Sequence, residues 1–421
     1  MTNFARVELG KTNIQFIDGD RSSRYPKREE FVEEGVLFLN AESINSGSIN
    51  KANANYISQE KFAEIKKGRI KRGDLLLTTR GNGVGNVAYV NTDDLGLINA
   101  QMLILRSNEE EINSKFLFYY FSSSTLYSYI QNFASGSAQP QIPIRDLKRI
   151  PLFIPSLKIQ EKIAGILSAY DELIENNKKR IALLETMAEE LYKEWFVRFR
   201  FPNYENTEFE KGVPSNWEET TLKYIANVTM GQSPSSEFYN DAGVGLPFHQ
   251  GVGTYGERFP INSTFCSVEG RLAQENDILF SVRAPVGRLN IATTQSIIGR
   301  GLCAINSKNG QSDYLFYLLN HTFSKEDIIG NGAIFNSVSK DELLGFKLIN
   351  PDEKIIEDFN LQAKSINEAI RILFDKNANL TTQKNKLLPR LISGKLSVEN
   401  LDIQQPPTLA TNQPTEPNTQ G

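Results

Sequence analysis

The chain contains 421 residues, which is more than one ordinary hydrophobic core accommodates and enough for two or three domains. It is 40% hydrophobic and 10% aromatic, as is typical of a soluble globular protein. The formal net charge of -4 argues against a protein that holds nucleic acid by bulk positive charge, although it leaves room for local basic patches.

Metal ligands and targeting signals are scarce in this sequence. The cysteines are Cys266 and Cys303, and the histidines are His249 and His321. These cannot form a disulfide framework or the paired spacings of a zinc site, and histidine-dependent catalysis is poorly supplied. The N-terminal residues lack the basic patch and apolar run of a signal peptide, and no apolar stretch is long enough to cross a bilayer. We therefore expect a cytoplasmic protein without a metal site.

The first module, residues 1–155, shows short β-rich runs separated by Gly, Asn and Pro turns, with a helical segment near 113–131. This pattern predicts a small α/β module. Within it, the run Lys61–Arg80 carries seven basic residues against two acidic ones, which indicates either a solvated loop or a DNA contact. The glycine loop Gly81–Gly85 follows a predicted strand but leads into another strand, so it is interpreted as a hairpin rather than a nucleotide cradle.

A long helix is predicted from about Lys158 to Phe199, with Ser156 as its cap and Pro202 just beyond its end. Its apolar residues fall at spacings of three and four, so they share one face. They are Ile163, Ile166, Tyr170, Leu173, Leu184, Met187 and Leu191.

After a linker at 202–213, the second module (residues 214–350) repeats the first. The octamer at 73–80 matches the octamer at 276–283, and both run into a Val-Gly turn. Two further segments recur in the same order, namely 117–120 as 315–318 and 35–40 as 245–250. Several matches in one order indicate an internal duplication with a period near 200 residues.

The second long helix is predicted within residues 351–398. Asn350 is its predicted cap, Pro351 stands in the first helical position, and Glu353 stands in the third. Pro389 is expected to break it. Its apolar residues are Phe359, Ile366, Ile370, Leu373, Leu380 and Leu387. The proline-rich tail at 399–421 is predicted to be disordered.

The two long helices determine the predicted fold. An amphipathic helix of roughly 40 residues is about 60 Å long, more than a small domain easily covers. The stripes are therefore expected to pair as an antiparallel coiled coil, the alternative being that each helix packs onto the sheet of its own module. The predicted fold is α/β (α+β), with two similar modules separated by two long helices and related by pseudo-two-fold symmetry.

Catalytic motifs are missing from the sequence. Asn350–Glu353 lacks the second proline and the aromatic residue of an adenine methyltransferase motif, and no serine or cysteine lies in a nucleophile elbow. A duplicated, two-ended protein instead suits a split DNA site, because DNA presents equivalent faces about 34–36 Å apart. Since the two copies of a duplicated chain can diverge, such a protein can recognise an asymmetric, bipartite sequence.

Four segments carry motifs that follow one another along the chain. They are 139–164 at the first junction, 191–199 at the end of the central helix, 212–217 at the entry to the second module, and 391–396 at the C-terminal close. Together they resemble the specificity subunits of type I restriction-modification enzymes, and the likeness covers about residues 5 to 398, nearly the whole chain.

The resemblance implies a role for the chain and for its partners. The modules would be target recognition domains, and the chain itself would select the DNA sequence without catalysing a reaction. Two methyltransferase subunits would bind S-adenosylmethionine and methylate adenine at N6. Restriction subunits would use ATP and Mg²⁺ to translocate and cut unmethylated double-stranded DNA.

The candidates for base recognition are polar residues at corresponding places in the two copies. Asn40 and Gln250 end matching strands, and an amide can pair with adenine through two hydrogen bonds. Arg80 and Arg283 follow the repeated strand, where a guanidinium can reach guanine or a phosphate. The remaining candidates in these loops are Asn82, Arg288 and His249. For each candidate a surface or turn-capping role remains an alternative.

Three other functions are compatible with part of this pattern. The chain could be a DNA-binding regulator without a modification partner, a fused restriction enzyme, or a coiled-coil scaffold that binds no nucleic acid. A fused enzyme needs a methyltransferase domain, for which no part of this sequence remains. Neighbouring genes for a methyltransferase and an ATPase would favour the specificity subunit over the regulator.

Overall fold

The computed structural model describes residues 4–45, 47–134, 140–323 and 337–402. The chain divides into two compact units, one formed by Met1–Asn176 and Lys376–Gly421 and the other by Asn177–Asp375. Each long helix contributes one segment to each unit. The predicted disordered tail falls, from residue 403 onward, outside the described residues, and the finer domain bounds stay predictions.

The first unit contains the short strands that the sequence predicts. In chain order they are Ala5–Glu8, Gln15–Asp18, Phe31–Val32, Val36–Leu39, Ile44–Asn45, Ser48–Ile49, Asn55–Ile57, Leu75–Thr78, Val87–Tyr89, Gly96–Ile98, Met102–Arg106 and Pro151–Ile154. The helices of its module are Gln59–Glu64, Ser114–Phe121, Ser124–Ala134 and Ile144–Leu147. The helical segment predicted near 113–131 is therefore two consecutive helices.

A four-stranded antiparallel sheet forms the centre of the first module. Its order is Gln15–Asp18, Met102–Arg106, Leu75–Thr78 and Val87–Tyr89. Leu75 and Leu77 belong to a core shared with the helices, whereas Leu76 belongs to a second core on the opposite face. Because side chains alternate along a strand, this strand is buried on both faces.

A second sheet packs beside the central one. Its order is Gly96–Ile98, Val36–Leu39, Asn55–Ile57 and Phe31–Val32, and its first two strands are parallel. A separate antiparallel pair joins Ala5–Glu8 to Pro151–Ile154, which brings the two ends of the module together.

The second unit has a matching set of elements. Its strands are Phe209–Glu210, Val213–Pro214, Glu218–Thr221, Ala226–Met230, Tyr239–Asn240, Leu246–His249, Phe265–Cys266, Leu272–Ala273, Ile278–Ser281, Leu289–Ile291, Ser296–Ile298, Leu302–Ser307 and Lys347–Asn350. The helices of its module are Leu222–Ile225, Ser312–Phe323 and Lys340–Leu344.

The topology confirms the internal duplication. The central sheet of the second module has the order Ala226–Met230, Leu302–Ser307, Ile278–Ser281 and Leu289–Ile291, strand for strand as in the first. Its strand Ile278–Ser281 again alternates between two cores, and Leu246–His249 again lies parallel to Ser296–Ile298.

The glycine loop of the first module is a hairpin turn, as predicted. The Gly85 N–H donates to the Thr78 carbonyl at 2.9 Å, and the Val84 N–H donates to the Gly81 carbonyl at 3.1 Å. The chain then enters the strand Val87–Tyr89 rather than a helix, so the loop lacks the helix N-terminus that a phosphate cradle requires.

The long helices are observed at Leu157–Tyr192, extended by a π-helical turn at Lys193–Val197, and at Glu353–Ile392. We call them the central helix and the C-terminal helix. The predicted start of the C-terminal helix is wrong by two residues. Asn350 lies in a strand, and Asp352 caps the helix by accepting a hydrogen bond from the Lys354 N–H at 3.0 Å.

The prediction that Pro389 breaks the C-terminal helix is also wrong, since this residue lies inside the helix. Pro389 stands in the last turn, where the missing N–H removes one hydrogen bond and only a few residues follow. Its own carbonyl still accepts from the Ser393 N–H at 3.2 Å.

The stripe predicted for the central helix is only partly correct. Leu173 and Met187 are 52% and 59% exposed, so they do not lie on the buried face. That face combines large residues such as the predicted Ile163 with small ones such as Ala164 and Ala188, which permit close packing. The stripe of the C-terminal helix holds better, because Phe359, Ile370 and Leu373 are buried.

Within the first unit, segments of the two helices pair antiparallel, as predicted. The Asn377 side chain donates to the Ile174 carbonyl at 3.5 Å, and Lys384 forms a 2.6 Å ion pair with Asp171. Leu167 and Leu391 also join the core of the module. Pairing and packing onto the module, which the sequence presented as alternatives, therefore occur together.

Within the second unit the helix segments meet through aromatic rings. Phe359 of the C-terminal helix lies 5.8 Å from Trp195 and 5.9 Å from Tyr192, measured between ring centroids. Ala188 and Ala363 belong to the same core. Edge-to-face contacts of this kind add to the apolar burial that holds the segments together.

One hydrogen bond joins module to long helix at the same position in both units. The Tyr119 hydroxyl donates to the Asp171 carboxylate at 2.7 Å, and the Tyr317 hydroxyl donates to the Asn367 amide oxygen at 2.7 Å. Burial, followed by the charge of Asp171, raises the pKa of Tyr119, so its hydroxyl remains a donor.

Arg258 is a buried cation in the second unit. Its side chain is 7% exposed, lies 4.4 Å from the centre of the Phe316 ring, and donates to the Asn367 oxygen at 2.6 Å. It also lies 3.6 Å from the carboxylate of Glu185, whose pKa is raised by burial and lowered in part by Arg258. Arg258 thus ties the loop after Leu246–His249 to both long helices of the unit.

We expect Arg258→Ala to lower the free energy of unfolding by about 3 kcal/mol, because it leaves Glu185 and Asn367 without their cation in a buried site. Thermal and denaturant unfolding would measure the loss. Arg198→Ala is the control, since Arg198 forms exposed ion pairs with Glu190 and Glu194 and should cost less than about 1 kcal/mol. Equal losses in the two variants would contradict a buried network.

The equivalent residues Asp74 and Asp277 predict unequal effects of the same substitution. Asp74 pairs with Arg106 at 2.7 Å, whereas Asp277 has no cation and accepts from the Asn306 amide at 3.1 Å and the Gln274 N–H at 2.8 Å. Burial raises the pKa of Asp277. Asp74→Asn should destabilise the protein by about 3 kcal/mol at pH 7, because Arg106 loses its carboxylate. Asp277→Asn should cost clearly less, because the one hydrogen bond that an amide loses here is offset by the removal of a buried charge that has no cation.

The pH dependence follows from the same difference. Since folded Asp277 holds its proton more tightly than the unfolded chain does, it makes the free energy of unfolding fall as pH rises from its ordinary pKa through its raised pKa. Asp277→Asn should remove this fall from unfolding curves measured between pH 4 and 8. Destabilisation by Asp277→Asn as large as that by Asp74→Asn would contradict the account.

Candidate nucleic-acid interface

Each module has a short turn at which several strand ends meet, residues 99–101 in the first module and 299–301 in the second. We call it the junction turn. In the second module the Gly299 N–H donates to the His249 carbonyl at 2.8 Å, and the Gly301 carbonyl accepts from the Val282 N–H at 2.9 Å. The turn thereby joins the ends of two strands that belong to different sheets.

The first module has the same backbone connections. The Asn99 N–H donates to the Leu39 carbonyl at 2.8 Å, and the Gln101 carbonyl accepts from the Thr79 N–H at 2.8 Å. A glycine crosses closely over the turn in both copies. A Cβ atom on Gly19 would lie 2.1 Å from the Asn99 oxygen, and one on Gly231 would lie 2.2 Å from the Gly299 oxygen, so both positions require glycine.

Three predicted site residues of the first module meet beside the junction turn. Asn40, Arg80 and Asn82 line one open depression of about 450 Å³. Arg80 and Asn82 are exposed, and Asn40 is half-buried. The other side chains around it are aromatic or polar, namely Tyr25, Phe31, Phe38, Glu42, Asn55, Asn99 and Gln101.

The side chain of Asn40 is engaged in local structure. Its Oδ1 atom accepts from the N–H groups of Glu42 and Ser43 at 2.9 Å each, and from the Ser43 hydroxyl at 3.0 Å. An amide that pairs with adenine through two bonds must both donate and accept. Because the oxygen is already saturated, Asn40 can offer only its NH₂ group, which favours the turn-capping alternative.

In the second module, Gln250, Arg283 and Arg288 are exposed. The Gln250 oxygen accepts from the Ser233 hydroxyl at 2.8 Å, and that hydroxyl accepts from the Arg300 N–H at 3.1 Å. Gln250 therefore lies against the junction turn with its NH₂ group available.

His249 does not fit a base contact. It is 1% exposed, and its Nδ1 lies 3.1 Å from the Thr254 hydroxyl. Burial lowers its pKa to about 4, so the ring is neutral near pH 7. His249 ends its strand one residue before Gln250, and alternation turns it into the interior.

Sequence reasoning missed two residues of the junction turns, Gln101 and Arg300. Both are exposed. Gln101 lines the depression of the first module, and Arg300 lies beside Gln250 and Ser233 in the second. The repeat could have indicated these two residues, because both turns lie between strands that correspond in the two modules. No recognised sequence motif marks the turns.

Several basic side chains of the run Lys61–Arg80 form contacts within the first module. Lys61 pairs with Glu30 at 2.8 Å, and Arg72 forms two hydrogen bonds with Asp93 at 2.9 and 2.7 Å. The Arg69 guanidinium lies 4.2 Å from the centre of the Phe62 ring. These contacts favour the solvated-loop interpretation for this part of the run, while Arg80 lines the depression.

Neither a metal site nor a membrane-spanning helix occurs in the described ranges. No group of three or more His, Cys, Asp or Glu side chains there is arranged to hold a metal ion. No helix within those ranges combines the length and apolar character needed to cross a membrane.

Comparison with known proteins identifies the family. Residues 18–186 and 214–390 each match the type I restriction modification DNA specificity domain. The two matches cover most of the chain, which therefore belongs to this family. The resemblance predicted from the four sequence segments is confirmed. Specificity subunits are the DNA-recognition components of type I enzymes and are not themselves catalytic.

Named relatives support the assignment. A protein of Methanocaldococcus jannaschii, assigned as the specificity subunit of type I restriction enzyme MjaX, is 32% identical over 327 residues, covering 75% of this chain and 76% of the relative. The HindI specificity subunit of Haemophilus influenzae is 23% identical over 400 residues, covering 77% of this chain and 86% of the relative.

A solved structure supports the fold. The type I restriction-modification system S subunit from M. genitalium superposes with a TM-score of 0.59 at 17% identity, covering 93% of this chain and 96% of that one. This likeness confirms the α+β architecture with two repeated modules and two long helices.

We expect Asn40→Ala to lower the free energy of unfolding by about 1 kcal/mol, because Glu42 and Ser43 lose their side-chain acceptor. Asn40→Asp keeps an acceptor oxygen and should retain stability. Unfolding curves of the two variants test this role. If Asn40→Asp were stable but altered the DNA sequence recognised, Asn40 would read a base through its NH₂ group, and the capping interpretation would be incomplete.

Proposed function

We propose that the chain reads a bipartite, asymmetric double-stranded DNA site, one part with each module. The observation that carries this is the pair of junction turns. Their backbone connections are the same in both modules, whereas the exposed side chains around them differ. A shared scaffold with different reading groups is what recognition of two unlike half-sites requires.

The candidate residues of each module have the chemistry that base recognition needs. The first module presents amides around Arg80. The second presents the exposed Arg300 beside Gln250 and Ser233, and the exposed Arg283 after the strand Ile278–Ser281. Among the described residues, these three arginine side chains have no ion-pair partner. Exposed, unpaired arginines are suited to guanine or phosphate, and amides to adenine.

The partners in this proposal are methyltransferase and restriction subunits. The methyltransferase subunits bind S-adenosylmethionine and methylate adenine at N6, and the restriction subunits use ATP and Mg²⁺. This chain supplies the sequence selection and binds none of these cofactors. Its net charge of -4 supports a division of labour in which the partners neutralise much of the DNA phosphate. The assembly acts on DNA in the cytoplasm.

Replacing residues 214–350 with the corresponding module of a relative should change one half of the methylated motif and leave the other half intact. The reason is that each half is read by one module with its own core and its own junction turn. Sequencing the methylated positions of the host genome would measure the motif. The reciprocal replacement of residues 1–155 is the control and should change the opposite half.

Deleting the gene should remove the whole motif. Changes in both halves after a single replacement would contradict independent modules. A methylome that the deletion leaves unaltered would contradict the specificity-subunit function and favour the DNA-binding regulator.

A further inference from the structure

The two junction turns differ in the side chains that they expose. In the first module the turn is Asn99, Ala100 and Gln101, and in the second it is Gly299, Arg300 and Gly301. The hydrogen bonds that hold both turns involve backbone groups of the turn. Side chains at their exposed positions can therefore change without altering the fold, which is the property expected of a residue that sets specificity.

Gln101 has an amide that is available to a ligand. It is exposed, and in the described part of the chain its one side-chain hydrogen bond is a long one of 3.4 Å from the Asn99 amide. One lone pair of its oxygen and both hydrogens of its NH₂ group remain. Gln101 can therefore accept from N6 and donate to N7 of adenine, which Asn40 cannot do.

Arg300 has a guanidinium that is available to a ligand. The residue is exposed at the apex of its turn, between two glycines, and within the described ranges no acceptor or carboxylate binds its side chain. Its backbone is fixed by the bond from its N–H to the Ser233 hydroxyl at 3.1 Å. A fixed backbone with a free guanidinium suits the two-bond contact with O6 and N7 of guanine.

We propose that Gln101 and Arg300 are specificity-determining residues, Gln101 for an adenine in the half-site of the first module and Arg300 for a guanine in the half-site of the second. The inference rests on the proposed function of the chain and adds the residues and the bases. It predicts that a change at either turn alters one base preference in one half-site.

The test uses variant alleles in the native host with its own partner genes, read out by sequencing of methylated positions. Arg300→Ala and Arg300→Lys should both relax one guanine position in one half-site, since lysine keeps the charge but loses the fork of donors. Gln101→Glu, which keeps the shape but loses the NH₂ donor, should relax one adenine position in the other half-site. Discrimination at each position should fall by roughly 5- to 150-fold.

Lys347→Ala is the matched control. Lys347 is exposed on the strand Lys347–Asn350 of the second unit, so the variant removes one positive charge from a different element. Its motif should be unchanged. A motif altered by Lys347→Ala would mean that charge alone sets the preference and would overturn the proposal.

Two other outcomes would overturn the proposal. An unchanged motif in the Arg300 and Gln101 variants would show that neither residue reads a base. Methylation reduced evenly at all sites by Arg300→Ala and restored by Arg300→Lys would make Arg300 a phosphate contact. Failure of the proposed function is distinguishable from these, because deletion of the gene would then leave every methylated motif in place.

Discussion

The burial of one strand on both faces is the constraint on which the rest of each module depends. Leu75–Thr78 and Ile278–Ser281 alternate their side chains between two cores, so every backbone group must pair with a neighbouring strand. This fixes the order and register of the central sheet. It also fixes where the strands end. At these ends, backbone groups that no longer pair with a neighbouring strand form hydrogen bonds with the junction turn. The turn is held by its backbone, so its exposed side chains are left free for recognition.

The duplicated halves share their hydrogen-bond geometry but differ in the charged residues that surround it. The bond from Tyr119 to Asp171 recurs from Tyr317 to Asn367 at the same length, but the cation beside it comes from Lys384 of the C-terminal helix in one unit and from Arg258 of a module loop in the other. A buried carboxylate likewise meets an arginine in the first module and an asparagine in the second. Such exchanges are tolerated because each of these acceptor side chains keeps a hydrogen-bond donor in both versions. Side chains that determine function can therefore also be exchanged between equivalent positions without disturbing the fold.

Sequence reasoning succeeded where burial restricts the residues and failed where tertiary contacts decide. The octamer repeat identified both modules, because a strand buried on two faces admits few residue types. The stripe of the central helix was misjudged at Leu173 and Met187, since periodicity counts large apolar residues and overlooks buried alanines. Asn40 follows one of the matched strands and His249 ends the other. Local N–H groups occupy the Asn40 oxygen, and the core encloses the His249 ring. Gln101 and Arg300 carry no motif, and only the shared backbone connections single them out.

The modest charge of the chain is consistent with a protein whose task is discrimination. Each phosphate contact strengthens binding to every DNA sequence equally, whereas a base contact changes only the ratio between right and wrong sites. Much of the basic run Lys61–Arg80 is neutralised within the first module, and the arginines left unpaired beside the junction turns are few. In the function proposed above, partner subunits supply the sequence-independent affinity. Base contacts then make up a larger share of the DNA-binding free energy that this chain contributes. A few side chains therefore suffice to define the recognised sequence.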